Sequence, residues 1–173
     1  MATIIEAPND VYSVDTKHNP KVFLAGGISN CPDWQAELIE LLKNEENVTL
    51  FNPRRANFPM DDPNAAEEQI TWEYQKLSES GIIVFWFSRG SLNPIVLYEL
   101  GMWGNSRRYK RIIIGCDPAY ERIKDVEIQS RLAGNNQMHF TLESVADQVK
   151  IYARKTNAVR EVFERDGDKD KIC

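Results

Sequence analysis

The sequence predicts an α/β fold built on a parallel sheet, and three observations carry the prediction. Apolar segments of strand length alternate along the chain with segments of helical period. The most apolar of them, Ile82 to Phe87, is an unbroken hydrophobic run, as in a strand buried on both faces. Turn formers fall between the segments rather than inside them: Asn19-Pro20, Gly26-Gly27, Asn52-Pro53 and Asn93-Pro94. At 173 residues without an internal repeat, the chain is sized for one domain.

Residues 1 to 20, broken by Pro8 and Pro20, read as an irregular arm. Lys21 to Ala25 is a short buried strand that ends in Gly26-Gly27. Pro32-Asp33 then opens a helix whose Trp34, Leu38, Leu41 and Leu42 share one face of a 3.6-residue period. Val48 to Phe51 is the second strand, stopped by Asn52-Pro53, and Asn64 to Ser80 the second helix. Ile82 to Phe87 is the third strand, and Asn93-Pro94 starts a helix from about Ile95 to Ser106. Arg111 to Gly115 is the fourth strand, Asp125 to Leu132 a helix, Gln137 to Phe140 a weak fifth strand, and Leu142 to about Glu164 the closing helix. The chain thus divides into the arm, a single domain over 21–164 and a charged tail over 165–173.

Composition removes several classes. With 42% hydrophobic and 27% charged residues, a packed core is available and a disordered chain is excluded. The run at Ile82 is far short of the roughly 20 residues that span a bilayer. The first ten residues lack the basic and apolar regions of a secretory signal, so a cytoplasmic location is expected. A net charge of −5 disfavours duplex nucleic acid as a partner but not a small nucleoside or nucleotide. Cys31, Cys116 and Cys173 are odd in number and lack CxxC spacing, and His18 and His139 stand alone, so neither a disulfide framework nor a zinc site is expected.

In such folds ligands sit beyond the carboxyl ends of the strands. Two acids stand out there. Glu73 shares a helical face with Ile70, Tyr74 and Leu77, and Glu99 shares one with Ile95, Met102 and Trp103. A carboxylate on an apolar face must be paired, neutral or turned into a cavity. For Glu73 a salt bridge to Arg54 or Arg55 is the structural alternative. Glu99, near the positive end of its helix, is expected to be ionised, as either a nucleophile or a capping or salt-bridge group. Two carboxylates converging on one strand end suit cleavage of a glycosidic bond.

Lys21-Val-Phe-Leu-Ala-Gly-Gly-Ile28, Asn52-Pro-Arg-Arg55, Gln69-Ile-Thr-Trp-Glu73, Phe85-Trp-Phe87 and Tyr98-Glu-Leu-Gly101 together resemble the nucleoside 2-deoxyribosyltransferase family, in its deoxyribosyltransferase-like branch, from about Lys21 to Val149. The resemblance implies a flavodoxin-like (Rossmann-like) three-layer sandwich with a five-stranded, mostly parallel sheet. It also implies cleavage of the N-glycosidic bond of 2'-deoxynucleosides through a covalent deoxyribosyl-glutamate, with no cofactor or metal.

By that resemblance Glu99, in Glu99-Leu-Gly101, is the nucleophile, Glu73 contacts the base and Asn93 holds the sugar. Asn93 stands where the better-known transferases carry Asp, and Phe23 where they carry Tyr. Phe23, Gly26, Gly27, Arg54, Arg55 and Trp72 complete the candidate substrate-binding set. Arg54 and Arg55 have three readings: a phosphate or carboxylate site, neutralisation of Glu73, or a subunit contact. Gly26-Gly27 lacks the spacing of a dinucleotide fingerprint. A homo-oligomer is implied, with the helix bearing Val145, Val149 and Tyr152 as a candidate surface. A hydrolase, a non-catalytic nucleotide-binding sensor and a structural assembly protein are the alternatives to a transferase.

Overall fold

A computed structural model describes residues 1–10, 16–105, 110–135 and 137–169, with 163–169 described by backbone alone. The predicted helix end at Ser106, and residues 170–173 of the tail with Cys173, lie outside the described residues.

The elements follow in the order β1 (Thr3–Glu6), β2 (Lys21–Gly26), α1 (Trp34–Leu42), β3 (Thr49–Asn52), α2 (Ala65–Glu79), β4 (Ile82–Phe87), α3 (Pro94–Trp103), β5 (Arg111–Cys116), α4 (Ile123–Leu132), β6 (Met138–His139) and α5 (Leu142–Lys169). All pairings are parallel, in the order β1-β3-β2-β4-β5-β6. Without β1 this is the flavodoxin-like order 2-1-3-4-5, and its switch point lies between β2 and β4.

The sheet has six strands rather than the expected five, because the N-terminal arm supplies β1 at the edge, with Ile5 opposite Phe51. Its four residues bury Ile5 and expose Ile4, too short an alternation to stand out in sequence. The closing helix also runs past Glu164 to Lys169.

Each side of the sheet has its own core. On one, Val22, Leu24, Leu50, Val84 and Trp86 meet Trp34, Leu38 and Leu42 of α1 and Val145, Val149 and Ala153 of α5. On the other, Phe23, Phe51, Ile83, Phe85, Phe87 and Ile114 meet Trp72 and Leu77 of α2, Val96 of α3 and Val126 of α4. Each such buried side chain contributes about 1.5–3 kcal/mol. Val145 and Val149 are 0% exposed, so the α5 face expected to join subunits instead forms part of the core. Among the described residues no helix is long and apolar enough to cross a membrane.

Asp33 caps α1 by accepting from the Ala36 N–H at 3.0 Å. Lys110, just before β5, donates to the carbonyls of Leu77, Ser78 and Ser80 at 2.7–2.8 Å. It thereby satisfies acceptors that the end of α2 would otherwise leave open. Pro94 occupies the first turn of α3, where its missing N–H costs nothing, and Asn93 before it takes a left-handed φ of 49°.

Candidate active site

A cavity of about 570 Å³ opens at the switch point, over the carboxyl ends of β2 and β4. Its floor is Phe23, Ala25, Gly26 and Gly27. One wall is the α2 face bearing Ile70, Glu73, Tyr74 and Leu77, and the opposite wall is α3 from Pro94 to Trp103. The apolar faces that drew attention in the sequence therefore line a cavity. Leu77 is buried, but Ile70 is 65% and Tyr74 57% exposed, and Ile95 and Met102 are also exposed.

Glu99 projects from α3 into this space. It makes no hydrogen bond or ion pair among the described residues. Burial, and secondarily the charge of Glu73, raise its pKa from 4.5 to about 8. The expectation of an ionised Glu99 is thus overturned. With Pro94 as the first residue of α3, Glu99 is a turn too far along for the dipole, which acts mainly within the first turn. Desolvation wins.

Glu73 is pushed in the same direction by burial, opposed by a hydrogen bond from Gln69 and by the Arg55 charge. The Gln69 amide nitrogen donates to the Pro53 carbonyl at 2.7 Å and to Glu73 Oε1 at 2.8 Å, fixing the carboxylate between α2 and the end of β3. Sequence reasoning passed over Gln69, although its i, i+4 spacing to Glu73 was a usable signal.

Asn93 is 3% exposed. Its amide nitrogen donates to the carbonyls of Ser88 and Ser91 at 3.2 and 3.0 Å, which leaves Oδ1 buried and without a partner. A Cβ on Gly27 would lie 2.0 Å from that oxygen, and one on Gly26 2.3 Å from the Trp34 ring. Close approach of neighbouring groups thus requires both glycines, quite apart from any ligand.

Glu99, Glu73, Asn93, Phe23, Gly26 and Gly27 are therefore brought together, while Arg54, Arg55 and Trp72 are not among the lining residues. Arg54 braces the loop after β2, donating from Nε to Gln35 Oε1 at 3.0 Å and from its guanidinium to the Pro32 carbonyl at 3.1 Å, with Asp33 at 3.3 Å. Arg55 pairs with Glu68 at 2.6 Å and acts on Glu73 only through its charge. Trp72 packs on Phe23 and Phe51 and donates to the Asn9 carbonyl at 2.8 Å. Tyr120 donates to the Leu92 carbonyl at 2.8 Å, steadying the loop that leads to Asn93.

Trp103 also lines the cavity, and its indole N–H is buried without a partner. Its ring lies 5.9 Å from that of Tyr74 and under the Lys110 ammonium at 5.1 Å. The cavity lining therefore combines oxygen-bearing side chains at Ser29, Ser91 and Asn93, the rings of Phe23, Tyr74, Tyr98 and Trp103, and two carboxyl groups. Such a lining suits a ligand with a hydroxylated part and a flat ring. No group of three His, Cys, Asp or Glu among the described residues is placed to hold a metal ion.

Residues 19–120 match a family model described as nucleoside 2-deoxyribosyltransferase like. No curated protein matches the chain.

Proposed function

The chain belongs to the nucleoside 2-deoxyribosyltransferase-like family, and we propose that its cavity cleaves the N-glycosidic bond of 2'-deoxynucleosides and passes the sugar to another base. The observation that carries this reading is Glu99, an acid on the cavity wall with no internal partner and a second acid electrostatically coupled to it. An acid serving only as a structural ion pair has a cation beside it; Glu99 has none among the described residues.

Near neutral pH the coupled pair retains a proton. Burial and the Glu73 charge hold that proton mainly on Glu99, and the reactive arrangement is the minor one in which it has moved to Glu73. The Glu99 carboxylate forms a bond to C1', the electron pair of the C1'–N bond leaves with the base, and Glu73 supplies the proton the base takes up. Asn93 Oδ1 accepts from a sugar hydroxyl, while Phe23, Gly26 and Gly27 form the floor under the sugar. A second base then displaces Glu99 from C1', its ring N–H proton passing back to Glu73; if water does so, losing a proton in the same way, the outcome is hydrolysis. The exposed apolar wall at Ile70, Ile95, Tyr98 and Met102 supports a homo-oligomer that covers the cavity mouth.

Incubation with deoxyinosine and adenine, followed by chromatography, tests the reading. Deoxyadenosine shows transfer and free deoxyribose shows hydrolysis, and Glu99→Gln is expected to lower either by at least about 10³-fold. No product from any purine or pyrimidine deoxynucleoside, with the protein folded, overturns it.

The elevated pKa of Glu99 favours one second reading, a nucleoside-binding module without turnover. That reading requires ligand-induced thermal stabilisation that survives Glu99→Gln in a protein without activity.

A further inference from the structure

We infer that this cavity prefers a cationic ligand, a base or nucleoside with a fixed positive charge on its aromatic ring, seated between the carboxylates of Glu73 and Glu99 and beside the ring of Tyr74. The inference rests on the reading of the cavity as the substrate site and names the substrate class it favours.

Besides hydroxyls, three side chains around the cavity offer acceptor oxygens, against one unpartnered donor among the described residues, the Trp103 indole N–H. Two are the carboxyl groups. The third is Asn93 Oδ1, on a side chain 3% exposed whose N–H groups are both spent on backbone carbonyls. Among the described residues, no Lys, Arg or His lines the space. Arg54 is held by Gln35, Pro32 and Asp33, and Arg55 by Glu68. A ligand phosphate would therefore meet carboxylates without a counterion among the described residues. A cation would meet an acid pair that keeps one proton near neutral pH and so carries about one negative charge, in an apolar setting where attraction is stronger than in water.

The Tyr74 ring adds a face of negative potential. Lys110 already occupies a face of the Trp103 ring and is held by three backbone carbonyls, whereas Tyr74, next to Glu73 and 57% exposed, has its ring open to a ligand. Arg55 acting on Glu73, and Lys110 behind Trp103, are the nearby positive groups among the described residues. Burial penalises both carboxylates and the Glu73 charge penalises Glu99 further, and a cation between them relieves these penalties.

A charged ring also simplifies the chemistry. When Glu99 bonds to C1' and the C1'–N pair returns to a quaternised ring nitrogen, the base departs neutral and takes up no proton. Water then adds to C1', its proton is released, and the Glu99 carboxylate is restored.

Titration calorimetry with N1-methylnicotinamide and uncharged nicotinamide, two rings of nearly equal size, isolates the charge. The cation is expected to bind at least about tenfold more tightly, and Glu73→Gln to remove that preference. Tyr74→Leu, at an exposed side chain with little bearing on folding, is expected to reduce the preference about threefold. Equal affinities, or a preference unchanged by Glu73→Gln, overturn the inference. Cation preference in a protein that cleaves no purine, pyrimidine or cationic deoxynucleoside sustains it and sinks the enzymatic reading. Cleavage of deoxyinosine without cation preference does the reverse.

Discussion

Replacing Glu99 by Gln is expected to stabilise the protein above neutral pH, and the size of the gain follows from the burial of this acid. The folded state holds the Glu99 carboxyl at about 8 against an ordinary 4.5. Between those values the folded protein binds more protons than the unfolded chain, so stability falls as pH rises. The contribution from Glu99 is fully present below about 4.5, declines through 8 and levels off above it. At about 1.4 kcal/mol per pH unit, that interval has a ceiling of about 5 kcal/mol. Relaxation of the site and water entry into an open cavity reduce it, and about 2 kcal/mol is expected, or about 4–8 °C in melting temperature for a chain of this length. Glutamine keeps the shape and cannot ionise. Melts followed by circular dichroism should therefore show Glu99→Gln well above the parent at pH 9 and nearly level with it at pH 5. A variant no more stable than the parent at pH 9 would mean that a cation already compensates the carboxylate, and the case for an unpaired acid would fail.

Two further predictions concern rate and fold. Initial rates of deoxynucleoside cleavage should rise from pH 6 towards 8 as Glu99, raised by burial and by the Glu73 charge, ionises; a flat profile over that span would remove Glu99 ionisation from the mechanism. Lys110→Met should cost about 1–3 kcal/mol, read as a lower urea midpoint, because three carbonyls at the end of α2 lose one shared donor; an unchanged midpoint would show that solvent replaces the ammonium without loss.

Much of the architecture was legible because it is written in local spacing. The apolar run at Ile82–Phe87, the period of Trp34, Leu38 and Leu42, and the breaks at Asn52-Pro53 and Asn93-Pro94 each act within a few residues, and the elements lie where those patterns put them. β1 was hidden because its pairing with β3 depends on a distant partner and on one buried side chain, Ile5. Val145 and Val149 form a correctly read apolar face, yet period alone cannot say whether such a face meets the sheet or another subunit; here it meets the sheet.

The candidate site divides in the same way. That Glu73 and Glu99 lie on apolar helix faces follows from the order of residues, since the 3.6-residue period projects positions onto faces whatever the rest of the chain does. Where those faces point was decided by tertiary packing, which set α2 and α3 on either side of a cavity. Packing also turned Arg54 to the loop after β2 and Arg55 to Glu68, although the two are adjacent in sequence. The charge state of Glu99 belongs to the same category: its helix position suggested an ionised acid, while burial and the neighbouring Glu73 raised its pKa. Desolvation and Coulomb energies depend on distances between chain-remote groups, and only the assembled fold sets those distances.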